Sequence, residues 1–250
     1  MKGCLRFLVV LAVLAGIGYF WWQSNAQRMI EAEVKRQGKH FFVNTDALQV
    51  KNDPVTLLDL RRAKVPKLVI SGEDLQLRAG LMLKSVKLVL TDVVVSGPPF
   101  NISHVGGGYY TATVTDGAVT EFVRKRIGSL PIAGRALNDL TVHFGEGRAH
   151  NTVVGAWDVP LLGKRDVIAN GYPVPAGQIG KIDFRVTDVS VAGLKMDAKP
   201  VVDALNLLNP VVDVSEWPLD SDFKSVTTHP GTVTVKAEIS HWRGGGLLPQ

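Results

Sequence analysis

The side chains able to do chemistry are spread thinly along this chain. Six histidines stand at His40, His104, His143, His150, His229 and His241. No two share the short helical spacing of a zinc hydrolase, and none is grouped with the carboxylates that a ligand set needs. His143 alternates with apolar residues of a strand pattern, which points it to solvent, and His229 belongs to the turn pattern His229-Pro230-Gly231. Ser221-Asp222-Phe223-Lys224 fits the Ser-x-x-Lys of penicillin-recognising enzymes, but the companion Lys-Thr-Gly is absent. The nucleophile elbow, the P-loop and the dinucleotide fingerprint are missing as well. Gly106-Gly107-Gly108 precedes a strand pattern rather than a helix, so it reads as a flexible hairpin tip and not as a phosphate cradle. Asp183, Asp188 and Glu238 occupy outward positions of strand patterns, the default place for charges. A glycosidase-type pair formed in space stays open at this level. The expectation is a protein that is not an enzyme and that uses neither metal nor cofactor.

Charge narrows the partners. The 28 Lys+Arg against 23 Asp+Glu give a net +5 over 250 residues. The excess is mild and scattered, unlike the concentrated basic stripe of a nucleic-acid reader, so no nucleic acid is expected. One local run, Arg124-Lys125-Arg126, has two readings. It is a helix C-terminus balanced against the helix dipole, or a set of candidates for phospholipid headgroups. The one cysteine, Cys4, excludes an intramolecular disulfide.

The elements that would position these residues begin with an apolar leader. Lys2 and Arg6 precede an uncharged stretch over residues 7–22 that ends in Tyr19-Phe20-Trp21-Trp22. A positive start, an apolar segment and an aromatic cluster at headgroup level fit a membrane anchor. Ser24-Asn25-Ala26 also fits a cleavage site after Ala26. Residues 1–27 are therefore expected to be a signal-anchor or a signal peptide. The remainder of the chain is placed outside the cytoplasm, tethered to the cytoplasmic membrane of a cell envelope, or secreted to the same side if cleaved. Residues 28–242 are expected to form one domain, and 243–250 a flexible tail.

Residues 28–39 carry helix formers and stop at Gly38, a helix that leads the chain away from the membrane. From Leu68 the period is two. Val86, Leu88 and Leu90 alternate with mostly polar neighbours, as do Tyr110, Ala112 and Val114. Leu140, Val142 and Phe144 do so again, then Ile182, Phe184 and Val186, and finally Val233, Val235, Ala237 and Ile239. Such patterning predicts antiparallel strands with one buried and one polar face. Two amphipathic helices interrupt them. The first is capped at Thr115-Asp116 and presents Val119, Phe122, Val123 and Ile127. The second runs from Pro200 to Pro210 with Val201, Val202, Leu205 and Leu208. A shorter helix is expected within residues 55–62. The class is α+β, with long antiparallel strands and a few helices over one face.

The element order resembles a known family. A hydrophobic leader and strands through 68–95 are followed by Tyr109-Tyr110-Thr111-Ala112-Thr113-Val114-Thr115 running straight into a helix. Then come Leu205-Asn206-Leu207-Leu208-Asn209-Pro210, Trp217-Pro218-Leu219, and a last hairpin from Phe223-Lys224-Ser225-Val226 to Thr232-Val233-Thr234-Val235. This order resembles the LmeA-like phospholipid-binding proteins of bacterial envelopes, themselves similar to the tubular lipid-binding superfamily. It covers roughly residues 40–240 as an order of elements, without a diagnostic motif. Residues 163–180, with Tyr172-Pro173-Val174-Pro175, depart from it. The resemblance implies a long curved antiparallel sheet wrapped around one or two amphipathic helices, with a slot for acyl chains between them. It also implies non-enzymatic binding or handling of phospholipid or another acyl lipid. The candidates for the lining are then Val119, Phe122, Val123, Ile127, Val201, Val202, Leu205 and Leu208, which would equally serve as ordinary core. The alternative function is an envelope adaptor with a filled interior that binds another protein through an exposed sheet or an apolar patch.

Overall fold

The computed structural model describes residues 25, 27–56, 59, 62–96, 101–127, 130–132, 135–147, 150–159, 163–195, 199, 202–203, 209, 211–213 and 219–242. The leader, most of the helix expected after Pro200, parts of residues 55–62 and the tail from 243 lie outside them. Among the described residues no helix is long and apolar enough to cross a membrane.

The alternating segments become two curved, seven-stranded antiparallel sheets, where the resemblance implied one long sheet. Sheet 1 contains β1 (Gln49–Asn52), β2 (Lys64–Gln76), β3 (Met82–Ser96), β4 (Asn101–His104), β5 (Gly107–Thr115), β13 (Leu219–His229) and β14 (Thr232–Trp242). Its order is β1-β2-β3-β5-β14-β13, and β4 pairs with the end of β3. Sheet 2 contains β6 (Leu130–Ile132), β7 (Arg135–His143), β8 (Asn151–Val159), β9 (Gly163–Pro175), β10 (Lys181–Val191), β11 (Leu194–Lys195) and β12 (Val212–Asp213). It runs β11-β10-β9-β8-β7-β6, with β12 also on β10. Helix α1 spans residues 27–38, and α2 (Asp116–Ile127) joins the sheets.

Register converts the period-two pattern into rows of side chains on the inner face of sheet 1. Val50, Ile70, Leu88, Tyr110, Ala237 and Phe223 are successive cross-strand partners. Two residues along, Val86, Ala112, Val235 and Val226 form the next row. The Tyr110 ring meets Phe223 edge-on, with centroids 6.3 Å apart and planes at 82°. Burial pushes the Tyr110 hydroxyl up to about 12, opposed by its hydrogen bond with Ser221.

Two glycine and proline signals resolve differently from the sequence reading. Gly107 and Gly108 are strand residues beside β3, not a hairpin tip. A side chain at Gly108 would place its Cβ 2.2 Å from the Val89 carbonyl oxygen, so close backbone approach requires glycine there. Residues 163–175, set apart from the family pattern, are simply β9. Pro173 is tolerated because its register partner Phe184 turns its backbone groups away. The Phe184 N–H donates to Asn209 Oδ1 (2.9 Å), and its carbonyl accepts from Asn209 Nδ2 (3.2 Å). His229 is the last residue of β13, and Gly231 makes the turn.

Helix α2 starts as its capping residues require: the Ala118 N–H donates to Thr115 Oγ1 and the Gly117 N–H to Asp116 Oδ1. It is fastened to β7 by polar contacts. Thr120 Oγ1 donates to the Val142 carbonyl (3.3 Å) and accepts from the Val142 N–H (2.9 Å), while Arg124 Nε donates to the Leu140 carbonyl (2.7 Å). Beneath it, Val123 packs against the buried cluster of Leu137, Leu140, Val167, Ala169, Val189 and Val191. The sheets meet where β13 passes the ends of sheet 2: the Gly180 N–H donates to the Ser221 carbonyl, and the Gly231 N–H to the Phe144 carbonyl.

Candidate functional site: an apolar cavity under the first helix

Helix α1 lies on the inner face of sheet 1, with Ile30 and Val34 packed against the sheet's core. Its polar face is held together internally. Arg36 gives Glu33 a two-pronged ion pair, with Nε at 2.8 Å and Nη2 at 2.6 Å, and Gln37 Nε2 donates to Glu33 Oε1 at 2.7 Å. These donors, Arg36 first, hold the Glu33 carboxyl below its ordinary value of 4.5, against the opposing effect of burial. Gly38 ends the helix, and its carbonyl accepts from the N–H groups of Phe41 and Phe42.

The helix does not fill the space over the sheet. Between them remains a partly open cavity of about 200 Å³. Its floor is the two rows described above, through Ile70, Leu88 and Tyr110 and through Val86, Ala112 and Val235. Val34, Gln37 and Gly38 of α1 form the roof. Phe41, Phe42, Leu77 and Leu81 close one end, and Ile182 and Val212 of sheet 2 also contribute. The physical cause is the size of the second row: Val86, Ala112 and Val235 are short, and all three are only half-buried despite facing inward. Native interiors are packed to crystal density, so an apolar void of this size is a feature to be explained.

The sequence-predicted candidates whose side chains are described fall elsewhere. Val119 packs where the two sheets share a core with Val114, Val142 and Phe144, and Val123 belongs to the filled core of sheet 2. Phe122 is half-buried on α2, and Ile127 is that helix's last residue. Val119, Phe122 and Val123 do not line the cavity. Val202 sits in a helical fragment at its own place in the chain, and Val201, Leu205 and Leu208 lie outside the described residues. Of the headgroup candidates, Arg124 is bound to β7, with Nη2 also donating to Thr141 Oγ1 (2.8 Å). Lys125 faces Glu121 at 3.9 Å on the surface, and Arg126 stands one residue before the end of α2. His143 is exposed, 4.0 Å from Asp116, and the described residues hold no cluster of three metal-ligating side chains. The lining that the sequence reading missed had one signal: Ile30, Val34 and Gly38 recur every four residues, the spacing of a helix face.

No family model, no curated protein and no solved structure matches this chain.

Proposed function

We propose that the protein binds an acyl chain in the cavity between α1 and sheet 1, as a non-enzymatic lipid-binding or lipid-handling protein of a bacterial cell envelope. One observation carries this reading: a cavity of about 200 Å³ with an almost wholly apolar lining. An apolar space of that kind suits hydrocarbon, and each buried CH₂ contributes about 0.8 kcal/mol. Binding of this sort needs no catalytic group, in keeping with the scattered titratable residues. The order of elements that resembles the LmeA-like phospholipid-binding proteins agrees with it, and so does an apolar leader that would keep the domain beside a membrane. The adaptor reading called for a filled interior, which the cavity disfavours.

The test is native mass spectrometry of the full chain in amphipol, with organic extraction of co-purifying lipid. A stoichiometric acyl-lipid adduct is expected, and it should vanish in Ala112→Phe, which fills the floor of the cavity. A clean apo mass that persists after incubation with liposomes would reject the reading.

A further inference from the structure

Resting on that reading, we infer that the occupant is a long, straight acyl chain that lies along β3 with its terminal methyl against the Phe41, Phe42, Leu77 and Leu81 end of the cavity and its headgroup outside, beyond Leu90. The direction follows from how that end is built. Phe42 pairs with Leu77 in an antiparallel bridge. The Val43 N–H donates to the Gln76 carbonyl and the Arg78 N–H to the Phe41 carbonyl, both at 2.8 Å. The Leu77 N–H donates to the Leu81 carbonyl (2.8 Å), and Arg78 Nε donates to the Lys39 carbonyl (2.6 Å). These bonds use the backbone groups of the wall on one another, so it faces the cavity with apolar side chains alone. A headgroup pressed against it would lose its water with nothing to replace it, whereas a methyl group gains by leaving water.

The length follows from the strand. The lining runs along β3 through Leu83, Val86, Leu88 and Leu90. At about 3.3 Å per residue, Leu83 to Leu90 spans about 23 Å. An extended chain gains about 1.2 Å per bond, a third of the span of one residue, so about 19 carbons cover that distance. Volume agrees with length: one water-sized group takes about 10–15 Å³ of such space, so the cavity of about 200 Å³ holds about 13–20 groups. A space that holds about as many groups as its length has bonds is a narrow trough. It suits a chain lying along the strand, not a compact or ring-built hydrocarbon. Acyl chains of about 16–20 carbons match it.

The experiment photolabels the delipidated full chain in amphipol with straight-chain acids that carry a diazirine, and maps the adducts by tandem mass spectrometry. Octadecanoic acid with the diazirine at its methyl end should label Phe41, Phe42, Leu77 and Leu81. With the diazirine on its β-carbon, about 18 Å from the methyl end, the same acid should label Leu88 and Leu90. The β-carbon of decanoic acid lies only about 8 Å from its methyl end, so that probe should label Val86 and Ala112 instead. A reversed map, with the β-carbon of octadecanoic acid on the wall, overturns the inference while leaving acyl binding intact. One map shared by all three probes does the same, because it means that the chain has no fixed direction. Labelling confined to residues outside the lining rejects the cavity reading itself and this inference with it.

Discussion

Among the described residues, α1 lies on the apolar face of sheet 1 and α2 on that of sheet 2, and the two pairs are built on opposite terms. Helix α2 is tied to β7 through Thr120 and Arg124, and its Val123 sits in a closed cluster whose Leu140, Val167 and Val189 are each 1% exposed. Helix α1 spends its polar groups on itself, through Glu33, Arg36 and Gln37 and a second ion pair of Lys35 with Glu31 at 2.8 Å. Among the described residues it packs on sheet 1 with apolar side chains such as Ile30 and Val34, and a cavity remains below. Directional bonds fix a helix at one height and allow tight packing. A helix held by apolar contacts alone can ride higher, and short residues beneath it then leave a hollow. The lesson is that a hollow arises here from what the sheet lacks, at Ala112 above all, rather than from any residue with chemistry.

That contrast can be broken or sharpened. The largest effect is expected from truncating the filled side: Leu140→Ala should cost about 2–5 kcal/mol in denaturant unfolding, because its surroundings cannot collapse. Leu88→Ala, in the floor of the cavity, should cost clearly less, since one side of Leu88 already lacks partners. Equal costs would mean that the two sides are packed alike. Next, Val123→Trp overfills the α2 side and should destabilise by about 1–3 kcal/mol while leaving lipid uptake of the folded protein unchanged. Ala112→Phe should do the reverse. The smallest effect concerns pH. The Glu33 carboxyl is held below 4.5 in the folded chain, so near and below that value the unfolded chain binds more protons. The stability it contributes is therefore present above pH 4.5 and is lost as pH falls through its lower folded value. Glu33→Gln should remove that part of the acid sensitivity, read as a flatter unfolding midpoint between pH 5 and pH 3, whereas an unchanged profile would show that Glu33 is not the group responsible.

Much of the architecture could be read directly from the residues. The alternation at Val86–Leu90, Tyr110–Val114, Leu140–Phe144 and Val233–Ile239 reports local pleat geometry, and each set faces inward. The cap at Thr115 and Asp116 is equally local. Properties set by distant neighbours were not legible. Which strands share a sheet depends on pairings such as β5 with β14, and nothing in either strand names its partner. Gly108 looked like a turn because the approach of Val89 that demands glycine comes from another strand. The cavity lies under a different helix from the one whose apolar face stood out, for a similar reason. Helix α2 has the fuller apolar face, so it attracted the assignment, yet a fuller face makes a filled core. Helix α1, with its narrow Ile30-Val34-Gly38 stripe, leaves space, and a space has no residues of its own to read.

The position of the last strand has a temporal consequence. Strand β14 lies inside sheet 1, between β5 and β13, and Thr113 on β5 meets Thr234 on β14 at 3.1 Å across 121 positions of chain. At a synthesis rate of about 5–20 residues per second, the free edge of β5 waits about 6–24 s for its partner while sheet 2 is made. During that interval an unpaired, Thr- and Val-rich edge stands beside an uncovered apolar floor, the arrangement most prone to pairing with a neighbouring chain. The hollow is thus finished last, when the closing hairpin arrives, and the nascent protein spends those seconds as its own most vulnerable form.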